Sequence, residues 1–261
     1  MGPPTAVAPP ARPGRLVLVV GTGTGVGKTW VAARLLGLLS SAGHLVAARK
    51  PVQSFDLDVP PDATDAAVLA RATGERPEEV CDPAGSFELP MAPPMAAEAL
   101  GRPSFAVADL AAGLRWAPGT TLGLVEAAGG VASPMAADGD ATDLAAALRP
   151  DVVLLVADAG LGVLNAVRLA AGALGHPPAR RGAVHPAGAR RTGQRDGALV
   201  VVLNRFDAAD DLHRRNLDWL RDRDGYDAVV LPGDEEALCR RVLGTPTPAP
   251  GGAAPGCGAP A

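Results

Sequence analysis

Lysine is almost missing from this chain. Of its 24 basic residues 22 are arginine, and only Lys28 and Lys50 are lysine. Where a position needs positive charge alone, a composition this rich in Ala, Gly, Pro and Arg supplies arginine. A retained lysine therefore marks a place that wants a compact ammonium instead of a planar guanidinium fork. Cysteine is scarce as well. Cys81, Cys239 and Cys257 are odd in number and lack ligand-like spacing, which argues against a disulfide framework and suits a reducing cytoplasm. Positive charge is not in excess: the net charge is −4, so there is no electrostatic footprint for nucleic acid. No apolar run approaches the roughly 20 residues of a membrane span. Residues 1–15 are Pro- and Ala-rich without the basic-then-apolar order of a secretory signal, and read as a disordered arm. The stretch 245–261 is almost wholly Pro, Gly, Ala and Thr and reads as a disordered tail.

What is present is a regular alternation. Leu16–Val20, Leu122–Val125, Val152–Ala157, Ala198–Leu203 and Ala228–Leu231 are short runs rich in Val and Leu. Helical patterns lie at Lys28–Ser41, Ala141–Leu148, Leu164–Leu174, Asp210–Arg223 and Glu235–Val242, the first stopped by Gly43. Strands apolar at every position and separated by helices indicate an α/β fold, a parallel sheet covered on both faces. The chain length suits a single domain over 16–244. One stretch breaks the alternation: 175–197 is loaded with Pro, Gly and Arg, too long for an ordinary helix-to-strand loop, and is expected to be a mobile insertion.

The two lysines fall at strand ends. Lys28 closes the run Gly21-Thr22-Gly23-Thr24-Gly25-Val26-Gly27-Lys28-Thr29, directly after the first apolar run. Glycines here let backbone N–H groups turn inward, and the following helix adds the positive end of its dipole, which together make a phosphate nest. In such a P-loop the lysine reaches the β- and γ-phosphates of a nucleoside triphosphate and the Thr29 hydroxyl ligates Mg²⁺. The spacing is unusual, with five residues between Gly21 and Gly27 instead of four. Lys50 follows the short apolar stretch Leu45–Ala48, in Arg49-Lys50-Pro51-Val52. Glu126 ends a buried strand ahead of two small residues and two glycines, where a carboxylate needs a cation partner or a large pKa change.

The long first loop resembles that of the dethiobiotin synthetase family, and further motifs follow in the same order. Lys50-Pro51-Val52 with Ser54 is similar to the family's Lys-Pro-Val segment, which brings a second lysine to the reacting phosphate. Asp65 in Ala63-Thr64-Asp65-Ala66 resembles its metal-binding aspartate, and Val125-Glu126-Ala127-Ala128-Gly129-Gly130 its Val-Glu-Gly-Ala-Gly-Gly motif. Leu161-Gly162 with Asn165 resembles the turn near the substrate carboxylate. Asn204 with Arg205, and Pro232-Gly233-Asp234, resemble adenine-contacting positions.

The resemblance implies a set of roles. ATP is held by Gly25, Val26, Gly27, Lys28, Thr29 and Trp30, by Asp65, by Glu126, Ala127, Ala128 and Gly129, and by the positions after the last two strands. Mg²⁺ is held by Thr29, Asp65 and Glu126, hard oxygen donors from separate strand ends. Ser54, Gly162 and Asn165 face the substrate. Lys28, Lys50 and Thr24 act at the reacting groups, although Thr24 is equally suited to a turn, Asn204 to a turn, and Asp65 to a helix start favoured by the dipole.

The implied reaction is ATP-dependent ring closure of a vicinal diamine, 7,8-diaminononanoate in the family, with CO₂ or bicarbonate, in a cytoplasmic homodimer. Catalysis would be positioning and charge stabilisation, with no general base evident. The sequence also departs from the family. Gly23 and Gly25 stand where acids are usual, Phe55 follows Ser54 where glycine is common, Gly160 replaces a lysine of some members, and Ala127 replaces a glycine. A relative acting on another amine would share this pattern. A regulatory ATPase of the ParA/MinD kind would carry lysine at position 23. A glutamine-dependent amidase of the cobyrinate type would need a further Cys- and His-bearing domain, for which nothing after Leu243 is suited.

Overall fold

The structure, a computed structural model, describes residues 12–179 and 197–244. Most of the expected arm, the expected tail and positions 180–196 of the expected insertion lie outside the described residues. Its frame is a six-stranded sheet built from β1 (Arg15–Gly21), β2 (Val46–Arg49), β5 (Leu122–Glu126), β6 (Val152–Asp158), β7 (Ala198–Asn204) and β8 (Asp227–Leu231), in the order β2-β5-β1-β6-β7-β8. Every neighbouring pair is parallel.

Near-continuous burial along each strand follows from cover on both faces. Val17 and Val19 of β1 point to one side and pack with Val31, Leu35, Leu36 and Leu39 of α1 (Lys28–Ser41). Leu16, Leu18 and Val20 point to the other, against Leu144 of α6 (Ala141–Leu148) and Val163 and Val167 of α7 (Val163–Ala173). Each face of the period-2 pleat thus feeds its own apolar cluster. The chain leaves β1 through α1 to β2, yet β5 inserts between those strands while β6 flanks β1 on the other side. The reversal of strand order beside β1 opens a crevice above the carboxyl ends, where α/β sheets place their ligands.

Boundaries moved in a consistent way. Each of β1, β5, β6 and β7 runs one residue further at its carboxyl end than its apolar run, taking in Gly21, Glu126, Asp158 and Asn204. Hydrophobicity stops where chemistry begins, whereas the ladder hydrogen bonds continue. The expected helix Asp210–Arg223 is α8 (Asp211–Asp218) followed by a wider turn, Trp219–Arg223, in which Asp224 N bonds back to Trp219 O at 3.1 Å. The last helix is α9 (Glu235–Leu243). The arm expected up to residue 15 is shorter: Arg12 donates to Arg149 O at 2.7 Å, Pro13 is buried, and Gly14 N bonds Thr120 O at 2.9 Å.

Between β2 and β5 lies a layer with no counterpart in the sequence expectations beyond Ser54 and Asp65. It holds β3 (Gln53–Ser54), α2 (Asp65–Thr73), α3 (Pro77–Val80), β4 (Ser86–Phe87), α4 (Pro93–Ala99) and α5 (Val107–Gly113). Strands β3 and β4 make a separate two-stranded parallel sheet pairing Gln53 with Ser86 and Ser54 with Phe87. This layer forms one wall of the crevice.

Candidate active site

The loop after β1 is shaped by two kinds of close approach. Gly25 and Gly27 have φ of +76° and +90°, a region that only glycine enters without strain. At Gly27 a Cβ would stand 2.1 Å from Asn204 Nδ2, so backbone freedom and space both demand glycine. The end of β7 grips the loop from behind: Asn204 Nδ2 donates to Val26 O at 3.0 Å and Arg205 to Gly25 O at 2.8 Å. A trans peptide aims its N–H opposite its C=O. Pulling those two carbonyls toward β7 therefore turns the following N–H groups the other way, as an anion cradle requires. Arg205 also pairs with Asp158 at the end of β6, at 2.7 Å.

The crevice, about 550 Å³, is lined by Thr24, Gly25, Gly27, Lys28, Thr29, Lys50, Ser54, Asp65, Glu126, Ala128 and Gly129 among the expected residues. At its floor is a charge cluster. Lys50, only 2% exposed, places Nζ 2.6 Å from Glu126 Oε1 and 2.7 Å from Asp65 Oδ2. Thr29 Oγ1 donates within reach of Asp65 Oδ1 at 2.8 Å and Glu126 Oε1 at 2.9 Å. Lys28 Nζ bridges Gly23 O at 3.2 Å and Gly129 O at 2.7 Å, tying the loop after β1 to the loop after β5.

Burial and charge pull these groups in different directions. Burial opposes the charge on Lys50, but Glu126 and Asp65 outweigh it and hold its pKa above the ordinary lysine value. Lys28 is lowered, first by burial and then by repulsion from Lys50. Burial also pushes Asp65 up, yet the Lys50 ammonium and the Thr29 hydroxyl bring it below the usual carboxylate range. Glu126, fully enclosed, is raised by burial, which Lys50 only partly offsets.

The donor set fits a hard cation. Among the described residues, Glu126 Oε2 and Ser54 Oγ are the buried side-chain atoms left without a hydrogen-bond partner. An unpartnered buried carboxylate oxygen is costly unless something else satisfies it. Two carboxylates and a hydroxyl are few for a cation that must be caged by protein alone. No group of three or more His, Cys, Asp or Glu able to hold a metal occurs among the described residues. The set does suit Mg²⁺, which keeps water and takes phosphate oxygens.

Other expected residues stand apart from this lining. Ala127 is buried in the core, its carbonyl 3.4 Å from Lys50 Nζ. Trp30, on the first turn of α1, is 49% exposed. Asp234, just after β8, is occupied with its own turn, accepting from Val230 N at 3.1 Å, while Gly233 N donates to Glu235; Pro232 precedes them. Gly162 and Asn165, at the start of α7, are exposed, next to Leu161 at 91% exposure. The sequence reading missed Gln53, the strip Pro90–Pro93, Ser133 and Pro134, all of which line the crevice. Pro, Met and Ala in that strip carry no chemical signature, and only the folded layer shows that they face the two lysines.

Comparison with known proteins adds the following. A family model described as an AAA domain matches residues 15–188. The ATP-dependent dethiobiotin synthetase of Haloferax mediterranei is 35% identical over 216 residues, 82% of each chain. That of Rhodococcus erythropolis is 41% identical over 163 residues, 61% of this chain and 69% of the relative. That of Caulobacter vibrioides is 44% identical over 154 residues, 57% and 68% respectively. Among solved structures, chloroplast FtsY from Physcomitrella patens is similar at 15% identity and a TM-score of 0.46, covering 89% of this chain and 66% of that one, too slight a likeness to bear on function.

Proposed function

The chain belongs to the dethiobiotin synthetase family and is an ATP-dependent ligase, and on that premise we propose that it closes a vicinal diamine, 7,8-diaminononanoate, with CO₂ into a cyclic urea. One observation carries the reading: the only two lysines of the chain meet, both buried, in a single crevice beside the phosphate loop.

In the proposed reaction one substrate amine adds to CO₂ and loses a proton, giving a carbamate. A carbamate oxygen attacks the γ-phosphorus and the bond to ADP breaks. The second amine then attacks the carbamate carbon of the mixed anhydride, and phosphate departs as the ring closes. The chain's own task is to hold charge. The loop amides and Lys28 would bind the triphosphate, and Lys50 would offset charge on the transferred phosphoryl oxygens. Thr24 would donate to a phosphate or carbamate oxygen, and the unpartnered Ser54 hydroxyl would meet the substrate. Mg²⁺ held by Thr29, Asp65 and Glu126 would add a Lewis-acid charge to the phosphates. Proton removal is left to the substrate amines. The apolar strip Pro90–Pro93 with Pro134 suits an aliphatic chain lying over the lysines. Leu161, just before α7, and Leu169 on it are 91% and 68% exposed and would suit a subunit contact in a homodimer, and a cytoplasmic location belongs to the same reading.

A relative acting on a different amine is favoured by one feature. Gly23 and Gly25 present no side chain to the substrate where acids are usual, and a Cβ at either would meet open space. ADP release measured with bicarbonate and a panel of vicinal diamines, with the product identified by mass, tests both. Release that needs 7,8-diaminononanoate and yields the cyclic urea supports the first. Turnover with another diamine alone supports the second. ATP hydrolysis indifferent to every diamine would sink the synthetase reading.

A further inference from the structure

We infer that Gln53 is a positioning residue that holds Asp65 in the charge cluster. This rests on the reading of Asp65 as part of the metal site. Gln53 is 5% exposed and its amide is used at both ends. Its Oε1 accepts from Ala66 N at 3.0 Å, and its Nε2 donates to Ser86 Oγ at 3.0 Å. Ala66 is the second residue of α2, so its N–H is one of the first-turn donors with no partner inside the helix. Thr64 Oγ1 caps the next one, Ala67 N, at 3.3 Å. Gln53 therefore supplies a helix cap from thirteen residues upstream.

The bond has a consequence for the site. Asp65 opens α2, and its side chain, 43% exposed, is held at its carboxylate by Lys50 at 2.7 Å and Thr29 at 2.8 Å, so meeting both depends on where the helix start lies. Three of the four buried residues of α2 are Ala66, Ala67 and Ala70, with Leu69 the fourth. A face made mainly of alanine has shallow ridges and resists sliding along its axis weakly. Gln53 provides a fixed stop. It lies three residues beyond Lys50 on the same short segment, and its other end is anchored through Ser86 on β4. The ammonium and the helix that must present a carboxylate to it are thus referenced to one short segment, which runs from the end of β2 into β3.

The test uses the full chain and a fluorescent ATP analogue, titrated with Mg²⁺ and separately in EDTA. Gln53→Ala should raise the Mg²⁺ needed for half-maximal tightening by about tenfold, as expected when a group that orients a ligand is lost. Affinity in EDTA should stay within about twofold of the parent's. Gln53→Glu keeps an acceptor for Ala66 N and should restore most of the effect. Ser86→Ala should shift the titration in the same direction by less, and adding it to Gln53→Ala should change nothing more, because both act through one chain of bonds. A Mg²⁺ titration of Gln53→Ala that overlays the parent's, or an equal loss in EDTA, overturns the assignment. Asp65→Asn in the same assay separates the two levels. If it too leaves the titration unmoved, the metal-site reading has failed. If it shifts the titration while Gln53→Ala does not, only the role of Gln53 has failed.

Discussion

Replacing Lys50 by Met separates what this residue does for the fold from what it does for the reaction. Methionine fills much the same volume but leaves Glu126, completely enclosed, without the ammonium at 2.6 Å. Stranding one member of a buried pair costs about 3–5 kcal/mol. For a domain of this size that corresponds to a fall in melting temperature on the order of 10 °C. Removing the cation from the phosphoryl group should separately cost about 3 kcal/mol of transition-state stabilisation, roughly two orders of magnitude in turnover. The double variant Lys50→Met/Glu126→Gln distinguishes the two effects. A neutral amide no longer strands a charge, so most of the lost stability should return, whereas activity should not. Thermal unfolding in EDTA, paired with ADP release under substrate saturation, reads both quantities. If Lys50→Met melts within about 2 °C of the parent, or the double variant is no more stable than the single one, the Lys50–Glu126 pair does not hold this site together. Near-normal turnover of a folded Lys50→Met would remove the catalytic role.

Glu126→Gln alone should raise the Mg²⁺ concentration needed for activity, since the amide keeps the shape and loses the charge that a hard cation wants; a titration that overlays the parent's removes Glu126 from the metal site. Gly27→Ala should abolish nucleotide binding, because its φ of +90° and the Asn204 amide 2.1 Å from the new Cβ both oppose it. Gly23→Ala, which meets open space, should bind normally, and equal loss in both variants would show that loop flexibility, not the close approach, is what matters. Deleting 246–261, or shortening 177–194 to a few residues, should leave ATP affinity unchanged. The described flanks of that segment, including Ala179 bonded to Asp224 O at 2.8 Å, lie near the amino-terminal ends of β7 and β8, away from the phosphate loop. A folded, shortened variant that no longer binds ATP would show that the segment reaches over the nucleotide.

Much of the frame could be read from the chain because its signals are local. The apolar runs at β1 and β5 to β8 and the Gly-Lys-Thr turn each lie within a few neighbouring residues. Lys28, Thr29, Lys50 and Glu126 stand out that way and Asp65 through the family resemblance, and the fold brings all five into one crevice. The layer between β2 and β5 was not legible for physical reasons. Strand β3 has two residues and pairs with a partner 33 positions away, so no period can develop. Helices α4 and α5 have seven residues each, too few turns for a stripe to stand out in an alanine-rich stretch. Asn204 was read as an adenine contact or a turn former. That it also donates to Val26 O follows from the sheet order, which carries the end of β7 past β6 to the back of the loop.

The position of β1 at the centre of the sheet has a consequence for how the site comes into being. β1 carries the phosphate loop and precedes both of its neighbours, Leu122–Glu126 and Val152–Asp158, in the chain. Until those two strands have been synthesised, neither edge of that valine-rich strand can be closed. Both pairings are long-range and parallel, the slowest kind to form, and they leave apolar edges open meanwhile. The grip that Asn204 and Arg205 place on the loop comes later still, with the end of β7.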